Sequence, residues 1–170
     1  MRRLVSALCA AAMLLGAARA SADDVPDTPA WNANVGQVTG IGVALLVGDG
    51  GSVGGGLELS TRYGLVVGPI VLAPGGRAGG YYLDERLIGV FMATGRVTVP
   101  LGPVAPFLQA GAGAGVLSNP GDGGLAWLVG GGLMIHFGSQ LAIGVEVSRQ
   151  GISGTGFDVL AIGPSLVIGG

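Results

Sequence analysis

The chain has 170 residues, which suits one domain, and its 36 glycines lack the strict three-residue period of a collagen helix, so a fibrous protein is excluded. With 49% hydrophobic and 11% charged residues, it is much less charged than an average soluble domain, where about 25% of residues are charged. Beyond the N-terminus, glycine, proline or charge interrupts every apolar run before about 18 residues, so no membrane-spanning helix is expected. A membrane protein with this composition would be a β-barrel.

The N-terminus has the layout of a secretory signal peptide. Arg2 and Arg3 precede an apolar stretch, and the small-x-small site Ala20-Ser21-Ala22 stands before the acidic segment that starts at Asp23. We therefore predict a signal peptide at 1–22, a periplasmic linker at 23–34 and a barrel domain at 35–170.

The mature chain is acidic and has no thiol. Removal of residues 1–22 takes away three arginines and the one cysteine, and leaves five arginines, no lysine and ten acidic residues, a net charge of −5. Such a chain has no basic patch for nucleic acid. The sequence shows no cluster with metal-ligand spacing and no phosphate-binding loop with its lysine, so neither a metal nor a cofactor is predicted.

A two-residue alternation of apolar and small or polar residues predicts β-strands along most of the mature chain. Its clearest runs begin at Val35, Leu57, Arg86, Leu125 and Leu141.

Two segments are less regular: 65–73 is hydrophobic throughout with Pro69 in its middle, and 155–168 alternates weakly. With a tight turn near Tyr63 and a loop at 74–85, the count is eight strands, an even number that closes as an antiparallel up-and-down barrel.

Strand and loop lengths favour a transmembrane barrel. Several runs reach about 10 to 13 residues, and about 9 to 11 are enough for a tilted strand to cross a bilayer. Short connections at 100–103 and 137–140 contrast with longer, polar ones at 74–85, 118–124 and 150–156. This asymmetry is typical of periplasmic turns and extracellular loops.

Glycine recurs on the second face of these strands. In "FLQAGAGAGVL" (107–117) every second residue from Gly111 to Gly115 is glycine. The interior of an eight-stranded barrel is only just wide enough for side chains, so crowded inward positions favour small residues. The alternative is a kinked or flexible glycine-rich segment. Recurrence of the pattern favours the lumen, and the predicted lumen residues of this kind are Gly111, Gly113, Gly115, Gly130, Gly132 and Gly144.

The segments "GPVAPFLQAGAGAGVL" and "HFGSQLAIGVEVSR" resemble the small eight-stranded outer-membrane β-barrels of the OmpA/OmpX-like type. The first is similar to a proline-aromatic entry into a glycine-alternating strand, and the second to a penultimate hairpin whose last strand bears an inward acid. The resemblance implies an outer-membrane location in a Gram-negative bacterium, contact with outer-membrane lipid and insertion by the barrel-insertion machinery.

Strand parity places Glu58, Arg62, Arg96 and Glu146 inside the barrel, with Arg86 solvated near a rim. Buried charges need partners, and the family resemblance implies an internal salt-bridge network. Such a network makes the lumen a plug of side chains rather than an open pore.

Aromatic residues mark either a membrane interface or a loop that binds a partner. The candidates are Tyr81, Tyr82, Trp127 and Phe137. The first two fall in "GGRAGGYYLDER", which is predicted to be an extracellular loop. In that position they would be accessible to an extracellular ligand.

The sequence favours a structural or surface-interaction barrel without enzymatic activity. One alternative is a lipid A-modifying enzyme that uses His136 with Ser139 and Glu146, but a histidine on the glycine-bearing parity is more often a polar lumen residue than a general base. The other is a soluble periplasmic barrel that binds an apolar ligand, which requires the apolar parity to face inward.

Overall fold

The computed structural model describes residues 27–118 and 123–169, so the predicted signal peptide lies outside the described residues. A short helix precedes eight antiparallel strands. Their bounds are α1 Pro29–Asn32, β1 Gly36–Gly48, β2 Val53–Val67, β3 Ile70–Leu83, β4 Arg86–Thr98, β5 Val104–Leu117, β6 Gly123–Phe137, β7 Leu141–Ile152 and β8 Phe157–Gly169.

Each strand pairs with the next, and β1 also pairs with β8, so the sheet closes on itself. At the closing seam Val38 lies opposite Gly169. Among the strands that the structure describes, closure leaves none with unpaired backbone groups along an edge. The predicted fold class, a closed antiparallel up-and-down barrel of eight strands, is confirmed.

The two faces of the wall differ in polarity as the alternation predicts. Along β7, exposed and buried residues alternate from Leu141 to Gln150. Large apolar side chains are exposed on every strand, for example Ile41, Leu57 and Phe91. The soluble alternative required this apolar parity to face inward, and it faces outward.

The second hairpin differs from the sequence-based prediction. The turn lies at Gly68-Pro69, not near Tyr63, and the predicted loop at 74–85 is wrong because β3 runs to Leu83. Gly68 adopts a φ of 58°, which glycine tolerates, and Pro69 sits between the strands where its missing N–H costs no ladder bond. The four glycines of 75–80 have no side chains, so this segment lacks the alternation of apolar and polar residues that predicts a strand.

We call the barrel end that carries α1 the proximal end, and the other the distal end. At the distal end, Asp84 and Glu85 alone join β3 to β4, both with positive φ as a two-residue hairpin requires. The other distal connections, 49–52, 118–122 and 153–156, are also short. The predicted contrast between long and short connections is therefore wrong.

Residues 27–34 of the predicted linker fold against the proximal end, and residues 23–26 lie outside the described residues. Ala30, Trp31 and Ala33 are buried, and a side chain at Gly169 would collide with Ala33. Packing against the proximal end removes apolar Trp31 from water, so residues 27–34 form a cap on the barrel. Among the described residues, no helix combines the length and apolar character that crossing a membrane requires.

Candidate functional site

The middle of the lumen holds a cluster of charged and polar side chains from five strands. We call it the charge layer, and its members are Glu58 of β2, Arg77 of β3, Arg96 of β4, Gln109 of β5 and Glu146 of β7. Each member points inward because strand parity places it on the buried face.

Glu146 is the acceptor at the centre of the charge layer. Arg77 Nη1 donates to Glu146 Oε1 at 2.5 Å, and Arg96 Nη2 lies 3.3 Å from Glu146 Oε2. Gln109 Nε2 also donates to Glu146. Three donors on one carboxylate offset its loss of hydration in the lumen.

The two arginines are themselves held on several sides. Arg77 forms a second ion pair with Glu58, so it bridges both carboxylates. Arg96 donates through Nε and Nη2 to Gln109 Oε1, at 3.2 and 2.7 Å, and its guanidinium lies 3.8 Å above the centre of the Phe107 ring. The ring contact is a cation–π interaction, which desolvation strengthens.

Of the four predicted lumen charges, the structure brings Glu58, Arg96 and Glu146 into this network. Arg62 faces the lumen too, but among the described residues it forms no ion pair and donates only to Ser60 Oγ, at 3.3 Å. Sequence reasoning missed Arg77, the residue that joins the two carboxylates, because the surrounding glycines led to its assignment to a loop.

Tyr81 corrects the aromatic assignment. It is only 2% exposed and lies in the lumen, where its hydroxyl donates to Glu58 Oε1 at 2.7 Å. Gln150 lies 3.1 Å from the same hydroxyl. The prediction of an interface or loop position failed because β3 extends through Tyr81, and parity turns that residue inward and Tyr82 outward.

The other three aromatics face outward and lie near the two ends of the barrel. Tyr82 and Trp127 are near the distal end, and Phe137 is near the proximal end. Trp127 and Phe137 share one face of β6, ten residues apart, which a tilted strand converts to about 25 Å of height, the height of the apolar band of membrane barrels.

All six predicted lumen glycines lie on the inward parity. A methyl group at Gly111 would meet Thr94 and Leu128, one at Gly115 would meet Ile152, and one at Gly132 would meet the Phe107 ring. Gly113, Gly130 and Gly144 are equally confined, and a Cβ at each would strike a neighbouring strand. Glycine therefore makes room for the large side chains that fill the lumen.

Apolar side chains close the lumen above and below the charge layer. Towards the distal end they form one buried cluster that includes Leu46, Met92 and Leu128. Towards the proximal end a second cluster includes Val38, Phe107 and Met134. With the cap beneath it, the charge layer is enclosed at both ends.

His136 belongs to the cap contact. Asn34 Nδ2 lies 2.8 Å from His136 Nε2 and donates to the Ala30 carbonyl at 2.7 Å. Ser139 is exposed in the turn after β6. Glu146 is in the charge layer, four residues along β7 from Ala142, the residue that pairs with His136. Four residues of strand span about 13 Å. The three residues of the enzyme alternative are therefore not brought together.

No candidate metal-binding cluster is found in the described part of the chain. In residues 27–118 and 123–169, no three side chains of His, Cys, Asp or Glu group closely enough to hold a metal ion. Besides the two carboxylates of the charge layer, the lumen offers guanidinium, amide and hydroxyl groups, which bind carboxylates and anions.

Comparison with known proteins finds no matching family model and no matching curated sequence. Solved structures do match. The outer membrane enzyme PagL has a TM-score of 0.60 at 17% identity, over 76% of this chain and 98% of that one. The chain has the fold of the small outer-membrane β-barrels.

Two further structures share this fold. Neisserial surface protein A matches with a TM-score of 0.57 at 11% identity, over 79% of this chain and 96% of its own. The N-terminal β-barrel domain of Pseudomonas aeruginosa OprF matches with a TM-score of 0.55 at 15% identity, over 79% and 97%. The resemblance seen in the sequence is thus confirmed for the fold.

Proposed function

We propose that the protein is an integral outer-membrane barrel with a structural role and a closed lumen. One observation carries the proposal: all eight strands expose large apolar side chains around an interior that contains an ion-pair network. In water this arrangement would leave an apolar surface far larger than monomeric proteins tolerate, whereas a bilayer covers it.

The wall is built to span a bilayer. Its strands have 12 to 15 residues, and about 9 to 11 are enough for a tilted strand to cross. Outward aromatic residues near both ends match the belts that hold membrane barrels at headgroup level. The predicted signal peptide supplies the export that this location needs.

A structural role is favoured over binding at the surface because the distal connections are short. The sequence-based hypothesis of an extracellular ligand relied on a loop at 74–85, and those residues are mostly strand. The lumen offers no wide path either, since side chains fill it from the cap to the distal cluster.

The test is fractionation of expressing Gram-negative cells, followed by gel migration of the membrane fraction in SDS with and without boiling. We expect recovery in the outer membrane and faster migration of the unboiled protein, because a closed barrel stays folded in SDS. Recovery in the soluble periplasm would contradict the proposal. In planar bilayers the purified protein should give none of the large conductance steps of an open pore.

The lipid A-modifying alternative has a separate test. PagL is an outer membrane enzyme with this fold, so fold alone does not decide the matter. We expect His136→Ala to leave the lipid A mass spectrum of expressing cells unchanged from that of cells with the unaltered protein. A lipid A species that depends on the protein and disappears in the variant would establish the enzyme.

A further inference from the structure

The charge layer together with its neighbour Arg62 contains more positive than negative charges. The described part of the lumen buries three guanidinium groups, of Arg62, Arg77 and Arg96, against the two carboxylates of Glu58 and Glu146. Arginine stays protonated in proteins, so it cannot remove the excess by releasing a proton. One positive charge therefore remains uncompensated within the lumen.

The excess charge is located at Arg62. This side chain is only 7% exposed, and its Nη2 atom has no hydrogen-bond partner among the residues that the structure describes. Arg77 and Arg96, in contrast, are both paired with carboxylates. A buried charge without a partner is costly, so the arrangement calls for a counter-charge.

A small cavity adjoins Arg62. Its volume is about 30 Å³. All five members of the charge layer, including the carboxylates Glu58 and Glu146, line it together with Arg62, and the rest of the lining includes Gly40, Gly42, Ser60, Thr94 and Ser165. The Ser165 hydroxyl is buried and, like Arg62 Nη2, without a partner in the described part of the chain. Since about 10–15 Å³ suffices for one water-sized particle, the space fits a monatomic ion and not a bulky organic ligand.

We infer that this cavity is a binding site for a small monovalent anion such as chloride, held by Arg62 and Ser165. A guanidinium N–H and a hydroxyl both donate, which is the chemistry that an anion requires. The anion neutralises the third guanidinium and completes the charge balance of the lumen. The three arginines of the lining outnumber its two carboxylates, Glu58 and Glu146, so a cation is disfavoured.

The first test uses bromide as an anomalous scatterer. Crystals of the refolded protein in detergent are soaked in sodium bromide, and an anomalous peak is expected within hydrogen-bonding distance of Arg62 Nη2 and Ser165 Oγ. Density there without an anomalous signal would identify water and overturn the inference.

The second test measures the dependence of stability on chloride. Thermal unfolding is followed by circular dichroism while gluconate, which is too large for the cavity, replaces chloride at constant ionic strength. A ligand that binds only the folded state should raise the melting temperature by about 3 °C or more for each tenfold rise in chloride above its dissociation constant. Equal melting temperatures in the two salts would overturn the site.

Two variants locate the effect. Arg62→Gln removes the excess charge and should abolish the dependence on chloride, while Arg86→Gln, at an exposed arginine of β4, should retain it in full. Full dependence in Arg62→Gln would show that chloride acts elsewhere. If Arg62→Gln does not fold, the bromide experiment on the unaltered protein decides the question.

Discussion

Arg77 and Glu146 extend from opposite sides of the barrel and meet in the lumen, where Arg77 Nη1 lies 2.5 Å from Glu146 Oε1. They belong to β3 and β7, which lie four strands apart in a ring of eight and so stand on opposite walls. No backbone bond links these strands, so the pair ties together parts of the wall that the sheet leaves apart.

Removal of Arg77 should destabilise the barrel strongly. Arg77→Met leaves Glu58 and Glu146 buried without their shared cation, and breaking a buried pair typically costs about 3–5 kcal/mol. We expect a lower midpoint in urea unfolding of the protein folded in detergent. The matched control is Arg86→Met on the exposed rim, which should shift the free energy of unfolding by about 0.5 kcal/mol or less. Equal effects of the two variants would refute a stabilising charge layer.

The glycine alternation of β5 can be tested at adjacent positions. A Cβ at Gly113 would strike the carbonyl of Phe91 on β4, so Gly113→Val should prevent the barrel from closing. Ala112 is exposed on the outer face, so Ala112→Val should fold like the unaltered protein. Heat-dependent migration on SDS gels measures whether each of the two variants folds. A folded Gly113→Val barrel would show that steric crowding does not require glycine at position 113.

The two described tryptophans should report opposite environments. Trp127 lies on the outward face of β6, whereas Trp31 is buried in the cap. In vesicles of lipids with brominated acyl chains, we expect quenching of Trp127 fluorescence in Trp31→Phe and much weaker quenching of Trp31 fluorescence in Trp127→Phe. Quenching of Trp31 to the same extent would mean that residues 27–34 leave the barrel and enter the bilayer.

The cap should depend on the side chain of Asn34. Asn34→Ala removes the hydrogen bonds to His136 and to the Ala30 carbonyl and should cost about 1–3 kcal/mol of local stability. Faster hydrogen exchange of residues 30–35 is the expected signature. Asn32 serves as control because it is exposed and, among the described residues, its side chain donates only to Asp27. Similar exchange in Asn32→Ala and Asn34→Ala would argue against an anchored cap.

Sequence periodicity predicted those strands whose two faces differ in side-chain polarity. The runs from Leu125 and Leu141 became β6 and β7 because branched apolar residues alternate there with glycine and polar residues. The method failed for β3, where every residue of the segment 73–80 except Arg77 is glycine, alanine or proline, so the two faces show little contrast.

The same failure limited the predicted site. Parity named Glu58, Arg96 and Glu146 because their strands were recognised. It missed Arg77, and Tyr81 was assigned to an interface or loop, because β3 was not recognised. The cap could not be predicted from the sequence for another reason. Its docking depends on contacts such as Asn34 with His136, 102 residues apart in the chain, and no local pattern encodes them.

The seam between Val38 and Gly169 has a consequence for how the protein is made. It joins β1 to β8, which are more than 100 residues apart along the chain, so the ring cannot close until both strands are present. Until then the growing sheet has two open edges that other chains can pair with. Contacts of such long sequence separation also form slowly. The interval before β8 pairs with β1 is therefore the stage at which folding chains are most exposed to pairing with one another.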